Sequence, residues 1–245
     1  MTGMLASVNS LEEALLVEPL NVDVIDLKQP NMGALGALAV ETVAEIVSKL
    51  NPATIISATV GDLPMQPDIV FEAAQAMAAT GVDYVKIGFF PDGDWRSCVE
   101  RLADVATQGH ALIAVLFGDA SPDMAIVPML RQAGFSGVML DTMDKQQGSL
   151  TDVMNSTQLQ NFVQMAKSYG LLTGLAGSLR IEDIEYLLPL QADYLGFRGA
   201  LCAQHCRTAR LDYGQITQIR QLLSDIHTPK SKLYRMSFQE EGHVC

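Results

Sequence analysis

The amino-acid sequence predicts a single (β/α)₈ barrel of the TIM type, and three observations predict it. Eight short apolar runs recur at fairly even spacing through residues 4–198. Between them lie stretches with apolar residues three and four apart, the period of an amphipathic helix. No G-x-G-x-x-G follows any of the runs, which weakens the runner-up, an open doubly wound sheet.

In order, the strand candidates are "MLASV" (4–8), "VDVIDL" (22–27), "TIISATV" (54–60), "DYVKIGF" (83–89), "ALIAVLF" (111–117), "GVMLD" (137–141), "LLTGLA" (171–176) and "DYLGFR" (193–198). The helical pattern is clearest in "PDIVFEAAQAMAATG" (67–81) and "TQLQNFVQMAKSYG" (157–170). Gly81, Gly134 and Gly170 stand where helix C-caps stand. Ser10-Leu-Glu-Glu13 reads as a capping box, and Ser121-Pro-Asp-Met as a helix start with Pro at the first position. Asp23, Asp83 and Asp193 each follow an apolar residue or alanine at a strand start. That is the face where barrels keep stability rather than chemistry, and the three read as turn formers. The barrel is expected over residues 1–226. Residues 227–245 are polar, without periodicity, and read as a mobile extension.

Composition narrows the function. The chain has 245 residues, 49% hydrophobic and 18% charged, so a sizeable core is available and general disorder is excluded. A net charge of −12 argues against a nucleic-acid partner, and any anionic substrate must meet locally placed cations or backbone amides. No apolar run reaches about 18 residues and no secretory signal opens the chain, so no membrane span is expected. Cys98, Cys202, Cys206 and Cys245 form no framework of spacings, which fits a reducing cytoplasm. The high apolar fraction allows copies to associate through outer helices, but no motif specifies a homo-oligomer.

Barrels place catalytic groups at the C-terminal ends of their strands. Those positions hold Lys28, Asp62, Lys86, Asp141 and Lys145. Of seven lysines in the chain, three fall there. Lys86 lies between Val85 and Ile87, which face the helices if Lys86 faces the lumen. Alternation puts Asp26 on the face of Lys28, where it could orient or partly neutralise that amine, as Asp141 could for Lys145. Burial and neighbouring ammonium groups both favour a neutral lysine, which can attack a carbonyl to form a Schiff base. The constellation suits aldol, enolisation and dehydration chemistry. After the last two strands, "LAGSL" and "FRGAL" resemble the phosphate loops of barrels, making Gly177, Ser178, Arg198 and Gly199 the phosphate candidates, with Asp62 a further substrate contact. "CAQHC" (202–206) carries metal-like residue types but lacks a fourth ligand, so no metal is expected. His110 reads as structural.

The segments "VDVIDLKQPNMGALGA", "ISATVGDLP", "DYVKIGF", "MLDTMDK", "LAGSL" and "RGALC" resemble, in order and over about 4–225, the motif series of (5-formylfuran-3-yl)methyl phosphate synthase. The resemblance implies a (β/α)₈ lyase that condenses two molecules of glyceraldehyde 3-phosphate with loss of phosphate and water. Its product is a furan precursor of methanofuran-type C1 carriers. It implies Lys28 as the Schiff-base lysine, Lys86 as proton acceptor, Asp141 and Lys145 as the supporting aspartate and third lysine, a triose phosphate as small-molecule partner, and no metal or organic cofactor. The segment after "RGALC" departs from archaeal members in lacking a Gly-rich stretch, and residues 227–245 have no counterpart. Two rivals share the residue pattern: another Schiff-base aldolase of sugar phosphates, and a non-catalytic phosphosugar-binding regulator.

Overall fold

All eight apolar runs become parallel strands, and the sheet closes on itself. The computed structural model describes residues 2–225. The strands are β1 (Gly3–Val8), β2 (Val24–Leu27), β3 (Ile56–Thr59), β4 (Tyr84–Phe89), β5 (Ala111–Phe117), β6 (Gly137–Asp141), β7 (Leu172–Leu175) and β8 (Tyr194–Phe197). Each pairs with the next, and β8 returns to β1, with Met4 opposite Leu195. The helices on the outside are α1 (Leu11–Val17), α2 (Val40–Lys49), α3 (Pro67–Ala78), α4 (Trp95–Thr107), α5 (Ile126–Gln132), α6 (Leu150–Val153), α7 (Ser156–Ser168), α8 (Asp183–Leu187) and α9 (Tyr213–Asp225).

Alternation along the strands separates two cores. Met4, Ala6 and Val8 of β1, Ile25 and Leu27 of β2, and Val85 and Ile87 of β4 pack outward against the helices. Leu5, Val24, Ile113, Val115, Phe117 and Met139 form a smaller cluster that fills the lumen. Polar residues in the lumen phase, Ser7, Asp26, Ser57 and Lys86, are also buried among them.

The N-terminal rim of the barrel explains the recurring aspartates, and differently from turn formation. Asp23 accepts the Met4 amide at 2.7 Å, Asp83 the Ile56 amide at 2.8 Å, and Asp193 the Thr173 amide at 2.8 Å. Each carboxylate therefore staples an even strand to the odd strand before it, satisfying an amide at the strand's open end. Helix ends largely follow the expected signals. Ser10 accepts the Glu13 amide, though Glu13 returns to Asn9 rather than Ser10. Gly81, Gly134 and Gly170 hold left-handed φ of 88°, 84° and 68° at helix ends.

Ser121 does not start a helix. It is itself left-handed, at φ 48°, and Asp123 accepts the Ala125 amide, so α5 begins only at Ile126. His227, His243, Cys245 and the proposed extension lie outside the described residues. No helix among the described residues is long and apolar enough to cross a membrane.

Candidate active site

A cavity of about 330 Å³ opens at the C-terminal mouth, within the size range of small-molecule sites. Ser7, Lys28, Lys86, Asp141 and Lys145 line it from β1, β2, β4 and the end of β6, while Gly177, Ser178, Arg180, Gly199, His205 and Arg207 line it from the loops after β7 and β8.

The two aspartates divide the three amines unequally. Asp26 is fully buried and accepts Lys86 Nζ at 2.9 Å, Ser57 Oγ at 2.7 Å and Ser7 Oγ at 2.9 Å. Burial alone would raise its pKa; the charges of Lys86 and Lys28 and the Ser57 hydroxyl outweigh burial and hold it below the usual carboxylate value. Asp141 accepts Lys145 Nζ at 2.6 Å, and Lys145 also bonds the Thr142 carbonyl. Burial opposes ionisation here too, but Lys145 and then Lys28 bring the Asp141 pKa down to about 2. Among the described residues, Lys28 Nζ has only Asp141 Oδ2 at 3.9 Å, an ion pair beyond hydrogen-bond reach. Burial lowers its pKa to about 8 against the pull of Asp141 and Asp26, with Lys86 and Lys145 adding to the depression.

This corrects half of one expectation: Asp26 partly neutralises Lys28 through its charge but does not orient it. Asp26 does share the lumen face with Lys28, but its direct partner is Lys86; closure of the barrel brings β4 beside it across β3. With two anions facing three amines, one amine has no full counter-charge, and Lys28 is the one without a hydrogen bond.

The loops are held at these positions by the backbone. Asp119, at the exit of β5, accepts the Met143 and Asp144 amides at 2.8 and 2.7 Å and so fixes the loop that carries Lys145. Gly177 has φ 107°, and a Cβ there would come within 2.7 Å of the Thr142 nitrogen, so only glycine lets the β7 loop lie against the Lys145 loop.

Two sequence-based phosphate or substrate candidates have other work. Arg198 borders the cavity, but its five N–H donors go to Glu13, Ser7 O, Arg207 O and Ala209 O. It is a brace between α1, β1 and the loop after β8, with no donor left for phosphate. Asp62 lies outside the cavity lining; its two oxygens accept the Ala34 and Leu35 amides, each at 2.7 Å, and clamp the loop after β2. Gly177, Ser178 and Gly199 do meet at the mouth. Arg180, Arg207 and Ser7 were not singled out by sequence reasoning, and His205 was weighed there only as a metal ligand within "CAQHC". The arginine at 207 is the one with a usable signal, a cation in the loop after the last strand within "CAQHCRTAR". Among the described residues, no group of three or more His, Cys, Asp or Glu is placed to hold a metal ion. Cys98 and Cys202 are buried free thiols, and Cys206 is an exposed one.

A closed parallel barrel with buried lysines and aspartates at its C-terminal mouth defines the class: a (β/α)₈-barrel protein with its polar site where such barrels act. Solved barrels agree in fold. A 3-hexulose-6-phosphate synthase from Salmonella typhimurium superposes with a TM-score of 0.65 at 18% identity, covering 92% of this chain and 100% of that one. TrpF from Jonesia denitrificans gives 0.65 at 13% identity, covering 94% and 100%. The sequence is more specific. A (5-formylfuran-3-yl)methyl phosphate synthase of Methanobrevibacter smithii is 32% identical over 86% of this chain and 94% of its own, and that of Methanocaldococcus jannaschii 32% identical over 89% and 98%. A Methylorubrum extorquens protein that carries the same name provisionally is 39% identical over 88% and 89%. The family model of 4-HFC-P synthase matches residues 4–220. The chain belongs to the 4-HFC-P synthase family, a family of enzymes.

Proposed function

We propose that this protein condenses two molecules of glyceraldehyde 3-phosphate into (5-formylfuran-3-yl)methyl phosphate in the cytoplasm, as a step toward a methanofuran-type C1 carrier, through an imine on Lys28. The observation that carries the reading is the unequal sharing of two carboxylates among three buried amines. Lys86 and Lys145 are each fixed as hydrogen-bonded ammonium partners of an aspartate, whereas Lys28 is held beside the charges without a hydrogen bond. Its nitrogen is the amine free to lose a proton and attack an aldehyde.

In the resulting imine, a base must remove a proton from the carbon next to it. Lys86 shares the lumen face and, after giving its own proton to solvent, takes that proton as a neutral amine, with Asp26 holding its position. Lys145 and Asp141, across the barrel from Lys28, serve the aldol addition and the dehydrations: the ammonium donates to a departing or developing oxyanion and the carboxylate steadies the charge. The loops after β7 and β8, with Gly177 and Gly199, supply backbone amides for the ester that the product keeps.

Incubation with glyceraldehyde 3-phosphate alone tests the reading. A new furan-aldehyde absorbance should rise together with inorganic phosphate. Turnover without phosphate release would instead mark an ordinary Schiff-base aldolase.

A further inference from the structure

With the lysines assigned to the reacting carbons, the mouth still holds a cation that forms no ion pair with a carboxylate among the described residues. Arg207 lines the cavity, partly buried, and among the described residues its guanidinium makes one hydrogen bond, from Nη2 to the Gly33 carbonyl at 3.0 Å. The other arginines of the lining are answered: Arg180 by Asp152 at 3.0 Å and Asp183 at 3.6 Å, Arg198 by Glu13. In a chain of net charge −12, a guanidinium that lines a cavity and has no carboxylate within ion-pair distance among the described residues is poised for an anion, the charges of Asp141 and Asp62 reaching it only from farther off.

We propose that Arg207, with the His205 imidazole in the same lining, binds the phosphate that leaves during the reaction, at a seat separate from the loop amides that hold the ester retained. The proposal rests on the two-triose reading above. The site is built: Arg198 Nε bonds the Arg207 carbonyl at 2.8 Å, and Glu13 holds Arg198 from the far side. The Gly33 carbonyl that steadies the guanidinium belongs to the loop clamped by Asp62. Glu13, Arg198 and Asp62 are thus positioning residues for Arg207.

The chemistry gives the guanidinium a use. When the ester departs, a base takes a proton from the neighbouring carbon, and the pair of that C–H bond becomes a C=C bond. The C–O bond breaks and its pair leaves on the phosphate oxygen. The phosphate has then gained one negative charge over the ester, and it takes a proton from solvent to become hydrogen phosphate. A fixed cation at that oxygen holds the departing anion more tightly than the ester, and the difference lowers the barrier.

Titrating inorganic phosphate into the full-length protein tests this. The wild type should bind at two sites. Arg207→Ala should weaken one of them by about ten- to a hundredfold, the scale of a charged hydrogen-bond pair. Arg210→Ala, which removes the same charge from an exposed position three residues on, should leave both intact. Arg207→Ala should also slow phosphate release while borohydride still traps the imine at the wild-type level. An unchanged phosphate isotherm in Arg207→Ala, or equal weakening in Arg210→Ala, overturns the proposal. If Arg207→Ala melts far below the wild type, Arg207→Lys carries the test: a smaller loss at the same site supports the proposal and none overturns it. Absence of an imine in the wild type would instead overturn the two-triose reading, and the phosphate isotherms would still decide the Arg207 site.

Discussion

Lys28 differs from the other two amines of the mouth in being held by charge without a hydrogen bond, and its pKa falls to about 8. At pH 7 about one tenth of the amine is then neutral, compared with far less than one per cent for a free lysine. The sign follows from the chemistry: attack needs the neutral form, so imine formation should rise as pH passes upward through 8 and level off beyond it. Trapping rates measured on both sides of that value check this, and a flat profile would contradict it. Lys28 and Lys86 were legible as lumen-facing residues because strand alternation has a fixed period. The partner of each was not. Asp26 meets Lys86 sixty residues away, and that pairing depends on the register across β3.

Among the elements, the strands were legible because each is a short apolar run, and buried parallel strands read that way. The start of α5 was not, since Ser121 adopts a left-handed turn that the Ser-Pro signal does not distinguish from a helix start. The aspartates at the lower rim were legible as stability residues, while their use as strand staples needed coordinates. Asp193 is the strongest of these, accepting both the amide and the hydroxyl of Thr173 at 2.8 and 2.7 Å. Asp193→Ala should cost about 1–3 kcal/mol. The melting temperature should fall by roughly 2–4 °C for each kcal/mol lost. Activity per folded molecule should stay at the wild-type level, because the change is at the opposite end of the barrel from the cavity. Calorimetry with an activity assay separates the two effects.

For the molecule as a whole, closing the sheet gathers charges that lie far apart in sequence, and it does so at a cost in stability. A lysine whose pKa falls on folding binds fewer protons in the native state than in the unfolded one. Between about pH 8 and the ordinary lysine value, stability therefore rises with pH, and at neutral pH Lys28 is destabilising. Lys28→Met should be inactive yet more stable at pH 7, by on the order of 1–3 kcal/mol, since Asp141 keeps Lys145 as its partner. Asp141 contributes in the opposite direction: its stabilisation is present above the ordinary carboxylate pKa and is lost as pH falls toward about 2. Denaturant melts of the two proteins at neutral pH decide the first point, and a less stable Lys28→Met would contradict it. Such trade-offs between site and scaffold are not legible in composition or periodicity. Arg198 shows the same limit: as "FRGAL" it reads as a phosphate ligand, and only the fold brings it to Glu13, 185 residues away.

The central claim is that the amine of Lys28 forms the covalent intermediate. Reduction of the working enzyme with borohydride in the presence of glyceraldehyde 3-phosphate, followed by peptide mass spectrometry, addresses it directly. The adduct should fall on Lys28, in the peptide containing "VDVIDLK". An adduct on Lys86 or Lys145 with Lys28 unmodified, or full activity without any adduct, would contradict the account.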